Sequence, residues 1–198
     1  MDSIKFLLYT LARIGLMFLL AVFSAFAGEI LFPAIVTLLP SSAAGIKDFF
    51  TDPVSQSAIG MGIMVIFLVW IFYDDGKRHA AYESWSSINI TIVYLIMLCI
   101  YFIPGIFRDS FAAEGKLDVF YLVLYYPCHW LSDGFQMNYL VSIVVGMGII
   151  LALSFVSYML AFRIYIKKHP VILKRMQERR YYNEEDETEN VQTDEDIK

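Results

Sequence analysis

The sequence predicts an all-α integral membrane protein, a four-transmembrane-helix bundle with an outer interfacial helix and a disordered acidic C-terminal tail. Of the 198 residues, 58% are hydrophobic and only 18% are charged. Soluble domains average about 45–50% apolar and about 25% charged residues, and a water-soluble chain of this size could not bury the excess apolar surface. The apolar residues also form continuous runs, which excludes the alternating pattern of a β-barrel.

Four apolar runs are long enough to cross the hydrocarbon core as helices, which takes about 20 residues at about 1.5 Å each. They cover residues 7–28, 58–73, 90–107 and 139–162. Backbone polar groups find no water inside a bilayer, so each run is expected to be helical. The predicted organisation is a membrane domain over 1–166, a basic juxtamembrane segment over 167–182 and the acidic tail over 183–198.

The first run carries two ionisable residues, Arg13 and Glu29. They lie 16 residues apart, about 24 Å along a helix. Each can therefore reach a different membrane surface, and neither has to lie at the midplane. Pro33 and Pro40 are expected to break the chain, which predicts an interfacial or partly re-entrant segment over residues 30–39.

A cleaved signal peptide is the alternative interpretation of the first run. Lys5 gives a short basic start, and residues 25–28 resemble a small-residue cleavage site. Arg13 interrupts the apolar region, however, and the apolar run continues past the proposed cut. Retained span and cleaved signal both leave the chain outside after this segment, so the remaining topology is the same.

Lysine and arginine near the span ends predict the orientation. The largest basic group follows the fourth run, between Arg163 and Arg180, so both termini are predicted to be cytoplasmic and the protein is expected in the cell membrane. The segment Lys167–Arg180 interleaves basic and apolar residues, which is typical of a helix attracted to anionic lipid. Eight acids lie within residues 184–196, and no basic face indicates nucleic-acid binding.

The predicted inner loop contains Asp74-Asp75-Gly76, which favours a solvated turn after the second run because Asp and Gly tolerate turn dihedrals. The two aspartates could instead bind a hard cation, but further oxygen ligands at set spacing are missing. With His79 and Glu83 they form the best candidate catalytic cluster on the inner side, although they match no known spacing.

The outer loop contains an aromatic run over residues 120–131. It is too short to span, and Tyr and Trp favour the headgroup layer, so an interfacial helix is predicted. A re-entrant plug or ligand lid is the alternative. Cys128-His129 within this run suggests a metal ligand pair or a nucleophile, but the other histidines are predicted on the opposite side. No metal, cofactor or catalytic set is assigned.

Small residues predict how the helices pack, because helices in lipid associate where backbones approach closely. The predicted contact residues are Ala21 and Ala25 in the first run, Gly62 in the second, and Gly146 and Gly148 in the fourth. The motif Gly60-Met61-Gly62-Ile63 recurs as Gly146-Met147-Gly148-Ile149. This recurrence is either the remnant of a duplication or a chance match of four residues.

The predicted function is that of an accessory or scaffold subunit of a membrane complex. A small oligomeric channel or carrier is the alternative, and a membrane-embedded enzyme is the second alternative. Coupled transport normally needs charged groups facing a cavity in the membrane, and the predicted second, third and fourth spans contain none between their ends. The expected partners are the lipid bilayer and either another membrane protein or further copies of this chain.

Overall fold

The computed structural model describes residues 3–82, 87–107, 118–172 and 174–176. Within these ranges the chain is helical without strands, and four helices are long and apolar enough to cross a membrane. They cover Ile4–Thr37, Pro53–Ala81, Ile88–Ile106 and Tyr139–Lys168. The predicted helical fold with four membrane helices is therefore confirmed. The acidic tail predicted over 183–198 lies outside the described residues.

The first membrane helix is longer than predicted and continues through a proline. Helix α1 (Ser3–Phe26) leads into a π-helical turn (Ala27–Leu31) and then into helix α2 (Phe32–Thr37) without a break. The prediction that Pro33 breaks the chain is wrong. Pro33 lies in the first turn of α2, where its missing N–H costs little, and a π turn allows a helix to change register locally.

The second membrane helix also extends beyond its predicted end. After helix α3 (Ala44–Thr51), helix α4 (Pro53–Ala81) begins at a capped terminus. The Asp52 carboxylate accepts a hydrogen bond of 2.9 Å from the Ser55 backbone N–H, a standard cap. Residues 74–76 lie inside α4, so the predicted turn at Asp74-Asp75-Gly76 is wrong.

The remaining long helices are α5 (Ser87–Ile106) and α8 (Tyr139–Lys168). Between them lie two short helices, α6 (Asp118–Leu124) and α7 (His129–Phe135), joined by a 3₁₀ turn (Tyr126–Cys128). We call residues 118–135 the apical segment. Asn138 caps α8, because its side-chain oxygen accepts a 2.9 Å hydrogen bond from the Leu140 N–H.

The long helices alternate in direction, which gives the bundle two ends. We call basal the end where α1 and α5 begin and α4 and α8 end, and apical the opposite end. Helices α4 and α8 form the most extensive contact, α1 packs on α4, and α5 packs on α8. The core they share is rich in Met, Tyr and Phe, including Met17, Met64, Phe72, Met97, Tyr101 and Met147.

The apical segment is packed into the bundle. Tyr121, Leu124 and Tyr125 are buried members of the same core as the long helices. Its 3₁₀ turn contacts α1, α4 and α8. The predicted interfacial helix over 120–131 is not confirmed.

Candidate functional site

A buried ion pair joins α1 to α4 near the basal end. Nη2 of Arg13 donates a 2.5 Å hydrogen bond to Oδ1 of Asp75. Asp75 is only 6% exposed. Charged side chains inside membrane helices are rare and are paired or functional. Arg13 therefore does not simply extend to the membrane surface, as the sequence suggested, and Asp75 does not belong to a solvated turn.

Aromatic side chains complete this site, which we call the basal cluster (Tyr9, Arg13, Asp75, His79 and Tyr158). The Tyr9 hydroxyl donates a 2.7 Å hydrogen bond to Oδ2 of Asp75, so both carboxylate oxygens are bonded. Nδ1 of His79 and the Tyr158 hydroxyl share a hydrogen bond of 2.9 Å. The guanidinium of Arg13 lies 4.9 Å from the centre of the Tyr9 ring, a favourable cation–π distance.

Local packing holds α4 and α8 close together beside the basal cluster. A Cβ added at Gly76 would overlap the Tyr158 backbone oxygen, so only glycine permits this approach. The Ser157 hydroxyl donates a 2.8 Å hydrogen bond to the Val69 carbonyl. Gly76 therefore serves a helix contact, which explains why the Asp-Asp-Gly sequence does not form a turn.

A cavity of about 480 Å³ opens beside the ion pair. Its lining comprises Arg13 from α1 and Trp70, Ile71, Asp74, Asp75 and Arg78 from α4. Asp74 and Arg78 form a second ion pair of 2.7 Å at the rim, where both side chains are largely exposed. The cavity volume lies within the range of about 300–1,000 Å³ that is common for small-molecule sites.

At the apical end, side chains of the apical segment pack closely against glycines of the long helices. The Tyr126 ring lies against Gly28 and Gly60, where an added Cβ would overlap it. A Cβ added at Gly146 would lie 2.6 Å from Sγ of Cys128. Nε1 of Trp130 lies 2.8 Å from Sδ of Met61 and donates to it. The first glycine of each Gly-Met-Gly-Ile motif thus contacts the 3₁₀ turn.

Cys128 is buried, and its neighbour His129 lies among aromatic rings. Burial raises the pKa of the Cys128 thiol to about 12, and the reactive species is the thiolate. The His129 ring lies among aromatic neighbours, 6.0 Å from the Tyr126 ring centre. In the part of the chain that the structure describes, no three His, Cys, Asp or Glu side chains are grouped to hold a metal ion.

The other predicted residues have varied surroundings. Glu29 is exposed, and its charge, together with the larger effect of burial, raises the pKa of Tyr126. Ala21 and Ala25 are buried. Gly62 and Gly148 have no heavy atom within 4 Å of an added Cβ, so within the described chain they are not the close contacts that the sequence predicted.

Sequence reasoning missed Tyr9, Tyr158 and the pairing of Arg13 with Asp75. One signal was available: two opposite charges lay in or beside antiparallel apolar runs, and a charge in lipid needs a partner. The tyrosines carried no such signal, because the chain has 13 of them. No protein-family model, curated protein or solved structure matches the chain, so its function has to be inferred from these two ends of the bundle.

Proposed function

We propose that the protein is an accessory or scaffold subunit of a membrane complex, and that it binds a transmembrane helix of another membrane protein. The observation that carries this proposal concerns Gly62 and Gly148, two of the three described membrane-helix glycines, with Gly15, at which an added Cβ would meet open space. Gly62 and Gly148 each lie two residues after a glycine that is tightly packed inside the bundle, yet an added Cβ at either would meet nothing within 4 Å. Both lie within membrane helices.

Open glycines inside helices need an explanation. Glycine costs about 1 kcal/mol relative to alanine in a helix interior, and at Gly62 and Gly148 no close backbone approach within the described chain offsets that cost. In lipid, small residues allow backbones of separate helices to approach, and this contact supplies the attraction between them. A partner helix seated at these positions would give both glycines a role.

The filled interior supports a role carried by the outer surface. At the apical end, Tyr125, Tyr126 and Cys128 are buried between the long helices. At the basal end, the groups of the Arg13–Asp75 pair bond to each other and to Tyr9. These packed groups favour a subunit over a single-copy pore, and the basal cavity opens beside the ion pair, at α1 and α4.

The test is purification of the full-length protein from its native membranes in a mild detergent, with mass spectrometry of what accompanies it. We expect a foreign membrane protein in fixed stoichiometry. Gly62→Leu and Gly148→Leu should remove that protein while leaving the melting temperature of the isolated chain unchanged. Gly146→Leu is the matched control, because its side chain would enter the Cys128 contact and lower the melting temperature instead.

Three results would contradict the accessory role. A symmetric homo-oligomer that conducts ions in vesicles would favour the channel or carrier. Chemical conversion of a bound lipid beside Asp74 and Asp75 would favour the enzyme. Retention of the foreign partner by both Gly62→Leu and Gly148→Leu would show that these glycines are not its binding site.

The basal end is proposed to face the cytoplasm of a cell membrane, because the basic residues gather there. Lys167 and Lys168 end α8 at this side, and the segment Lys167–Arg180 is proposed to contact anionic lipid. In a cysteine-free background, Ser41→Cys should react with an impermeant thiol reagent in intact cells. Thr188→Cys should not react, and its labelling would reverse the orientation.

A further inference from the structure

The cavity at the basal end combines side chains of opposite charge. Two arginines and two aspartates line it, so its formal charge is balanced. Arg13 and Asp75 are paired in its depth, and Arg78 and Asp74 are paired at its rim. The cavity therefore offers cationic and anionic groups side by side.

Hydrogen-bonding capacity remains in this cavity after the ion pairs have formed. The Arg13 side chain lines the cavity and is 21% exposed although it is paired with Asp75. The side chains of Arg78 and Asp74 are 69% and 48% exposed, so the rim pair has free donors and acceptors for a ligand.

An exposed aromatic side chain forms part of the cavity lining. Trp70 lines the cavity and is 66% exposed. Ile66 lies one turn farther from the basal end on the same face of α4 and is also exposed. A ligand with a polar head in the cavity could therefore lay an apolar chain along Trp70 and Ile66.

We infer that this cavity binds the headgroup of a zwitterionic phospholipid. The phosphate contacts Arg13 and Arg78, for which guanidinium groups are well suited. The ammonium contacts Asp74 and lies over the exposed face of Trp70, a favourable cation–π arrangement. The acyl chains follow the exposed side of α4 towards Ile66.

Charge balance is the reason for choosing a zwitterion over other phosphates. Free phosphate and anionic lipids share the phosphate chemistry, but they bring net negative charge next to Asp74 and Asp75. A primary ammonium compensates those carboxylates, and it donates hydrogen bonds that a quaternary ammonium lacks. Phosphatidylethanolamine should therefore bind more tightly than phosphatidylcholine, and both more tightly than phosphatidylglycerol. The headgroup site is separate from the proposed partner surface, because Asp74 lies 12 residues from Gly62 along α4, about 18 Å.

The experiment measures lipid binding to the full-length, delipidated protein in detergent. Dioleoyl phosphatidylethanolamine, phosphatidylcholine and phosphatidylglycerol are titrated separately, with native mass spectrometry and thermal shift as readouts. We expect one saturable phosphatidylethanolamine per chain and weaker binding of phosphatidylglycerol. Equal or tighter binding of phosphatidylglycerol would overturn the proposal. Displacement of phosphatidylethanolamine by millimolar inorganic phosphate would instead assign the site to a free anion.

Variants at the exposed rim test the assignment without disturbing the buried pair. Arg78→Gln should weaken phosphatidylethanolamine binding by about ten-fold, the usual effect of losing one charge-assisted contact. Asp74→Asn should instead reduce the discrimination against phosphatidylglycerol. Lys77→Gln is the matched control, since Lys77 is an exposed neighbour outside the cavity, 4.3 Å from the Tyr73 ring centre. An equal effect of Lys77→Gln and Arg78→Gln would show diffuse attraction of lipid and overturn the site.

Discussion

The two ends of the bundle are stabilised in different ways. At the basal end, polar groups on different helices form directed bonds: Asp75 accepts from both Arg13 and Tyr9. At the apical end, the contacts depend mainly on shape, because the Tyr126 ring and the Cys128 side chain fill the space above glycines. Removing polar groups should therefore damage the basal end, whereas adding atoms should damage the apical end and, at the basal end, the Gly76 contact.

This difference follows from the solvent of a membrane helix. Lipid tails are as apolar as the side chains, so no hydrophobic effect drives membrane helices together. The helices associate through polar bonds or through close packing at small residues. The basal end joins α1 to α4 by the first route. The apical end holds residues 126–128 between three helices by the second.

The largest effect is expected from breaking the buried ion pair. Asp75→Asn leaves Arg13 without a counter-charge, and loss of one partner of a buried pair costs about 3–5 kcal/mol. Asp74→Asn is the matched control on the neighbouring residue, where an exposed pair contributes at most about 1 kcal/mol. Both variants are compared by unfolding in detergent.

A double variant tests whether charge or shape holds the basal end. Arg13→Met with Asp75→Leu removes both charges together, so it should recover most of the stability lost in Asp75→Asn, as apolar replacements of buried pairs often do. Equal stability of Asp75→Asn and Asp74→Asn would contradict the special role of the buried pair.

The second effect in size is expected from adding a methyl group at the apical glycines. Gly60→Ala should clash with the Tyr126 ring, whose Cε1 atom would lie 2.8 Å from the new Cβ. Overpacking of this kind costs about 1–3 kcal/mol. Gly62→Ala, two residues along, meets open space and should stabilise the isolated chain by up to about 1 kcal/mol.

The same comparison, between a tightly packed and an open glycine, can be made independently in the fourth membrane helix. Gly146→Ala should lower the melting temperature in detergent, since its Cβ would lie 2.6 Å from Sγ of Cys128. Gly148→Ala should leave that temperature unchanged or raise it. If Gly148→Ala destabilised the protein as much as Gly146→Ala does, Gly148 would be a close helix contact, as the sequence predicted.

The sequence predicted the number of membrane helices because that feature depends on apolar length alone. It failed at residues 74–76, where a local turn preference opposed distant partners. Asp75 pairs with a residue 62 positions away, and Gly76 packs against the backbone of α8. Neither contact can be predicted from the turn preferences of residues 74–76 alone.

The inward faces of the helices were equally hard to predict. When a helix is apolar on every side, its sequence does not show which face points into the bundle. Gly60 and Gly62 therefore look equivalent in the sequence, although only Gly60 is tightly packed. The aromatic run over 120–131 had the same ambiguity. Its composition suits a headgroup layer or a helix interior, and the glycines that receive Tyr126 are far away in the chain.

A smaller effect is expected from the directed bond at the apical end. The Tyr125 hydroxyl donates a hydrogen bond of 2.5 Å to the Tyr101 carbonyl. Tyr125→Phe should cost about 1 kcal/mol. Tyr101→Phe is the matched control, because its own hydroxyl is buried without a hydrogen-bond partner among the described residues. That variant should be neutral or stabilising in the same unfolding assay, and the opposite order would mean that the Tyr101 hydroxyl is the bonded one.

The smallest effect at neutral pH concerns the thiol beneath Gly146. Burial raises the pKa of Cys128 from 9.0 to about 12, so the folded state favours the neutral thiol. The stability gained in this way is fully present below about pH 9, and it is lost as the pH rises towards about 12. In a Cys99→Ser background, N-ethylmaleimide should modify the folded protein at pH 8 far more slowly than the unfolded protein, because the raised pKa lowers the thiolate fraction and burial limits access to the thiol. Gly146→Ala should accelerate the reaction by displacing the thiol from its contact, whereas Gly148→Ala should not. Modification of the folded protein at the unfolded rate would mean that the apical segment leaves the bundle readily, and the close packing inferred for that end would be wrong.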